Sequence, residues 1–248
     1  MMEFIPYILL IGFTFLLAGT VKGVIGLGLP TVAMGMLGVV MPPAQAAALL
    51  IIPSLVTNIW QLCRGPRWTL LCRRLWPMLL AICLGTWYGT SMMTGGMAAW
   101  TSLWLGSLLI IYALVSLFNR QSRVAASAEK WLGPLVGVAT GLMTGATGVF
   151  VIPAVPYLNA LSLERDLLIQ ALGLSFTVST LALAASLAWH HMLEFNALGL
   201  SLLAVIPALA GMFFGAWLRA VISPGLFRRC FLLGLLGLGL EIVWKHFP

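Results

Sequence analysis

Gly19-Thr20-Val21-Lys22-Gly23-Val24-Ile25-Gly26-Leu27-Gly28-Leu29-Pro30 sets one lysine among four glycines inside an otherwise apolar run. The stretch recurs once. At a shift of 122 residues, without a gap, Gly19, Gly23 and Gly26 fall on Gly141, Gly145 and Gly148, and Lys22 falls on Thr144. Glycine frees the backbone from the helical path and admits a close neighbour. Two matched glycine clusters therefore predict two matched breaks in an internally repeated chain.

Composition says what is being broken. The chain has 248 residues, 61% hydrophobic and 8% charged, against about 25% charged in an average soluble domain. The runs 98–118 and 198–218 carry no charge. Apolar runs of roughly 18 residues or more read as membrane helices. The expected fold is an all-α polytopic membrane protein, with the lipid bilayer as its solvent. The uncharged runs are too long and too poorly alternating for the strands of a membrane barrel. The first segment lacks the basic start of a signal peptide and reads as a retained span.

Ten hydrophobic segments follow: 4–22, 27–40, 44–62, 75–94 and 97–118, then 131–147, 148–161, 167–189, 198–221 and 226–244. Residues 1–118 form a first repeat, 119–130 a polar, basic linker, and 131–248 a second repeat. The turn between segments 4 and 5 falls on Gly95-Gly96. As a helix, segment 27–40 would reach only ~21 Å at ~1.5 Å per residue, short of a ~30 Å hydrocarbon core. Segment 148–161 is equally short. Pro42-Pro43 closes segment 2 and suits the start of the next helix.

Positive charge sets the orientation. Of the 13 Lys and Arg, all but Lys22 and Lys245 fall in loops 63–74, 119–130, around Arg165 and 219–229. Ten segments with both termini outside put all four loops in the cytoplasm, as the positive-inside rule requires. An eight-span reading, with each break absorbed into one crossing, exposes one basic loop outside. Five segments per half make the two halves inverted repeats. In secondary transporters of that plan, sites lie at discontinuous helices.

The candidate binding residues are Lys22, Gly23, Gly26, Thr144, Gly145, Thr147 and Gly148 at the breaks, with Asn58 between them. Free N–H groups and the dipole at a helix start favour an anion. An intramembrane charge such as Lys22 reads as functional, its role being to neutralise that anion; the alternative is a lysine snorkelling to the inner surface. Ser54, Gln61, Ser175 and Thr180 extend matched polar faces on segments 3 and 8. For Gly85/Gly89 and Gly211/Gly215 the spacing reads as close helix packing.

The remaining residue types narrow the function. The six acids, Glu3, Glu129, Glu164, Asp166, Glu194 and Glu241, sit in loops or near segment ends. None stands mid-membrane to hold a cation or relay a proton. His190, His191 and Glu194 read as a polar turn rather than metal ligands. Cys63, Cys72, Cys83 and Cys230 lack metal-ligand spacing. No cofactor, catalytic group or nucleic-acid partner is expected, and an enzyme is not indicated. A homodimer is left open.

The run AGTVKGVIGLGLPTVAMGMLGVVMPPAQAAALLIIPSLVTNIWQL (18–62) and its echo GVATGLMTGATGVFVIPAVPYL (137–158) resemble the TauE/SafE sulfite exporter family, also called the 4-toluene sulfonate uptake permease family. The resemblance covers nearly the whole chain. It implies movement of sulfite, sulfonates or related small anions across the inner membrane. It also implies that Gly23, Gly26, Gly145, Gly148 and Asn58 shape the substrate path. Lys22 departs from the uncharged residue of many members. The expectation is a secondary transporter of a small, sulfur-containing anion working by alternating access. An anion channel and a non-transporting assembly subunit are the alternatives.

Overall fold

The computed structural model describes residues 4–65, 67–94, 98–118, 124–125, 127–193 and 195–245. Among these there are ten helices and no strand. The first half holds α1 (Phe4–Ile25), α2 (Leu29–Leu37), α3 (Pro43–Leu62), α4 (Trp68–Thr94) and α5 (Ala98–Phe118). The second holds α6 (Glu129–Thr147), α7 (Ala154–Ala160), α8 (Arg165–Trp189), α9 (Phe195–Val221) and α10 (Pro224–Trp244). Six of them, α1, α3, α4, α5, α8 and α9, are long and apolar enough to cross a membrane. Large apolar side chains such as Leu9, Phe13, Leu202, Ile206 and Trp217 face outward, where only lipid can cover them. The chain is a multi-pass membrane protein.

The local stops and starts follow the residues. α1 does not end at Lys22 as expected but runs one turn further, to Ile25. There Gly26 adopts φ 85° and its N–H closes on the Lys22 carbonyl at 2.7 Å. Gly148 ends α6 in the same way, with φ 72° and its N–H on the Thr144 carbonyl at 2.8 Å. Both are left-handed C-caps, which only glycine adopts without steric cost. α4 starts at Trp68, so Arg73 and Arg74 lie in its first turns and not in the loop that sequence patterning drew. Pro30 and Pro43 sit in the first turns of α2 and α3, where a missing N–H is harmless. The expected linker (119–130) and the Gly95-Gly96 turn fall largely outside the described residues; Glu129 and Lys130 open α6.

The two return segments are only partly helical: nine residues of the first and seven of the second. Tyr7, near the start of α1, meets Met41 just past α2 through its hydroxyl, 3.9 Å from the sulfur. On the other side, Val124 donates to the carbonyl of Ala160 at the end of α7.

Packing follows an internal two-fold. The closest helix pairs are α4 with α6 and α1 with α9, and one is the image of the other. A Cβ on Gly23 would strike the Met212 carbonyl of α9, and a Cβ on Gly145 would strike the Thr86 carbonyl of α4. Gly85 and Gly89 face α6 as Gly211 and Gly215 face α1. The four helices thus touch backbone to backbone through small residues. α3 meets its own image α8, and α5 meets α10. Pro53 inside α3 cannot donate to the Leu49 carbonyl. Ser201 of α9 supplies that bond at 2.8 Å and accepts the Ile52 N–H at 3.2 Å.

Candidate functional site

The last turn of α1 carries Lys22 inward. The residue is 4% exposed, and its ammonium donates to Thr57 Oγ1 at 3.0 Å and, by a short contact, to Asn58 Oδ1, both on α3. It does not snorkel to the surface. Asn58 in turn donates from Nδ2 to Thr180 Oγ1 on α8 at 3.3 Å. Asn58 and Thr180 occupy equivalent positions in the two repeats, so the internal two-fold passes between them. Lys22 lies beside this polar contact, inside the helix bundle.

Lys22 lines a half-open cavity of about 450 Å³ between α1, α3, α8, α9 and α10. Gly23, Gly26, Thr57 and Gln61 line it too. Four arginines reach it from four helix ends: Arg64, Arg165, Arg219 and Arg228. Arg64 lies over the Trp60 ring, 5.8 Å from its centroid. Trp60 meets Phe213 edge-on at 6.1 Å across the α3–α9 side. No Asp or Glu is among the described lining residues. Glu129 pairs with Arg74 through two contacts and Glu164 with Arg67 at 3.4 Å, while Asp166, next to Arg165, is exposed and does not line the cavity. Five cations therefore share one cavity without a lining carboxylate, which makes it a basin for anions.

Gln61 ties the break to the site. Its Nε2 donates to the Gly26 carbonyl at 3.2 Å and to the Ile169 carbonyl of α8 at 3.0 Å. Its Oε1 has no partner among the described residues. Gln170 of α8 answers from the other side, donating to the Leu62 carbonyl at 3.0 Å and, by a short contact, to that of Gly65. A second cavity of about 520 Å³ adjoins the first and shares Ile25, Leu27, Asn159 and Arg228 with it.

The structure thus gathers Lys22, Gly23, Gly26, Asn58 and Gln61, with Thr180 behind Asn58. Ser54 and Ser175 are buried in α3 and α8 with unpartnered hydroxyls. The second break is elsewhere and lines neither cavity. Thr144 Oγ1 donates to the Thr140 carbonyl and Thr147 Oγ1 to that of Met143, both at 2.7 Å. Gly145 packs on α4, and Gly148 lies against the Met34 side chain. The breaks sit apart because α1 and α6 run in opposite directions, so their C-terminal ends lie toward opposite faces.

Sequence reasoning took the four arginines for orientation signals alone and passed over Thr57 as a partner of Lys22. The available signal was position: each arginine stands at a segment end on the basic side. His190 and His191 follow the end of α8, and Glu194 lies outside the described residues. No cluster of three or more metal-ligating side chains occurs among the described residues.

Comparison with curated proteins and with solved structures gives no match. The profile described as Sulfite exporter TauE/SafE matches residues 11–242, nearly the whole chain, including both breaks, the lysine and the four arginines of the cavity. That family consists of membrane transporters of sulfur anions such as sulfite, not of enzymes. The chain belongs to the TauE/SafE sulfite exporter family.

Proposed function

We propose that this chain is a secondary transporter that moves sulfite or a small organosulfonate across the inner membrane by alternating access between its inverted halves, 1–118 and 131–248. One observation carries the reading. A buried lysine with only neutral hydrogen-bond partners stands in a cavity lined by five cations and no carboxylate. A buried ammonium favours a counter-charge. A sulfite or sulfonate oxygen within ~4 Å of it gains about 4 kcal/mol of attraction at an effective dielectric of ~20, before the anion's own dehydration is subtracted.

In this reading the anion seats on Lys22 beside Thr57 and Asn58, against the open backbone of Gly26. Gln61 holds the break in register. Ser54, Ser175 and Thr180 continue the path along the α3–α8 seam. The arginine-rich face is cytoplasmic, with the 119–130 linker there and both termini outside, because Lys and Arg concentrate on the inner side. A negative interior then drives a monovalent anion outward by ~2.3 kcal/mol per 100 mV, so export needs no coupling ion.

The test is flux into proteoliposomes, screened over sulfite, small sulfonates, sulfate and small carboxylates. Saturable uptake of sulfite or a sulfonate, with counterflow, is expected. Absence of flux for every anion would sink the reading. Flux without saturation or counterflow would make the protein a channel.

A further inference from the structure

The internal two-fold allows the unseen state to be read from the seen one. Its correspondence is visible in the packing. Gly23 of α1 abuts Met212 and Ala216 of α9, whereas Gly145 of α6 abuts Thr86 and Thr90 of α4. Gly19 abuts Ala208, and Gly141 abuts Ile82. Each residue of α1 and α3 therefore has a defined image on α6 and α8, and each residue of α9 has one on α4.

Applied to the cation-lined cavity, this correspondence marks out an image cavity at the opposite face. Lys22 maps to Thr144, Thr57 to Ser179, Arg64 to Ser186 and Met212 to Thr86. All four image residues are fully buried here. The hydroxyls of Thr86, Ser179 and Ser186 have no hydrogen-bond partner among the described residues. A buried hydroxyl without a partner is unfavourable. Three on the image of a cavity wall are explained if that wall is wetted in another state.

Resting on the transporter reading, we infer that the opposite face opens in turn onto a second anion-binding cavity, neutral and hydroxyl-lined. Thr86, Ser179 and Ser186 are its first polar contacts. The chemistry differs from the cavity seen here. The images of Lys22, Arg64, Arg165 and Arg219 are Thr144, Ser186, Pro43 and Met93, and none is charged. The anion is gathered by charge at the basic face and presented at the other face to hydroxyl groups alone. Neutral donors hold a small anion less strongly than charge-assisted ones, so the half-saturating anion concentration is higher at the opposite face.

The experiment uses the full chain in oriented proteoliposomes, with its four native cysteines replaced by serine. Single variants Ser186→Cys, Ser179→Cys and Arg64→Cys are exposed to a membrane-impermeant maleimide from either side. Ser186→Cys and Ser179→Cys should react only from the face opposite the arginines, and Arg64→Cys only from the arginine face. In the double variant Arg64→Cys/Ser186→Cys, a bulky adduct placed first on Arg64→Cys wedges the basic-facing cavity open. Labelling of Ser186→Cys should then fall at least tenfold.

The inference is overturned if both serine-site cysteines stay unlabelled in vesicles that carry sulfite, if they react from the arginine face, or if the wedge leaves their labelling unchanged. Sulfite flux is scored in parallel vesicles of the cysteine-free parent, in which Arg64 is intact. Its absence beside the expected labelling counts against the substrate reading and leaves the second cavity standing.

Discussion

Replacing Lys22 by methionine separates a binding role from a structural one, because the first changes anion affinity and the second changes stability. Methionine keeps the unbranched length of the side chain and removes the charge. In the folded chain the ammonium donates to Thr57 Oγ1 and Asn58 Oδ1 and meets no carboxylate. A charge buried among neutral partners is held at a net cost, and apolar replacements of such groups are often neutral or stabilising. Against this, Asn58 Oδ1 loses its donor, at about 1–3 kcal/mol. These terms nearly cancel, so the unfolding temperature of the empty Lys22→Met protein in detergent should stay within a few degrees of the parent. Anion binding loses a charge-assisted hydrogen bond of about 1.5–3 kcal/mol, which is roughly a ten- to hundredfold weaker affinity for sulfite by titration calorimetry. A drop of ten degrees or more in unfolding temperature, with sulfite affinity unchanged, would show that Lys22 holds the fold and does not bind the anion.

Three further outcomes follow from the same geometry. Gly23→Ala should destabilise by about 1–3 kcal/mol, because its Cβ meets the Met212 backbone; Gly12→Ala, with open space around it, should be neutral or stabilising by up to ~1 kcal/mol, both read by thermal unfolding in detergent. Ser201→Ala should cost about 1–3 kcal/mol, since the Leu49 carbonyl freed by Pro53 loses its donor; Ser201→Thr, which keeps the hydroxyl, should recover part of it. Raising ionic strength from about 50 to about 500 mM should weaken anion uptake from the arginine face several-fold, because salt screens the exposed Arg64, Arg165 and Arg228, while Lys22 keeps residual binding.

Much of this protein was legible one residue at a time. The apolar runs announce membrane helices, because no soluble fold can cover so much apolar surface. The 122-residue echo of Gly26 in Gly148 announces paired helix ends, because glycine is the residue that takes the left-handed cap without strain. The odd number of segments per half announces inversion, because a chain that crosses five times returns with its direction reversed. Lys22 stands out because an isolated charge in such a run is expensive.

Other properties depend on which surfaces meet. Gly23 and Gly145 share a sequence pattern with Gly26 and Gly148, yet they are contact points for α9 and α4, and only the partner helix distinguishes a packing glycine from a capping one. Arg64, Arg165, Arg219 and Arg228 lie far apart in sequence and on four different helix ends, so their convergence on one cavity comes from how those ends are packed. The two breaks look alike in sequence, but antiparallel repeats send them toward opposite faces, and the cation-lined cavity opens beside one while the other is buried. Composition and periodicity are local properties of the chain and determine what each segment is. The distance from the Lys22 ammonium to Thr57, and the choice of which half is open, are relations between segments, settled only when the helices pack.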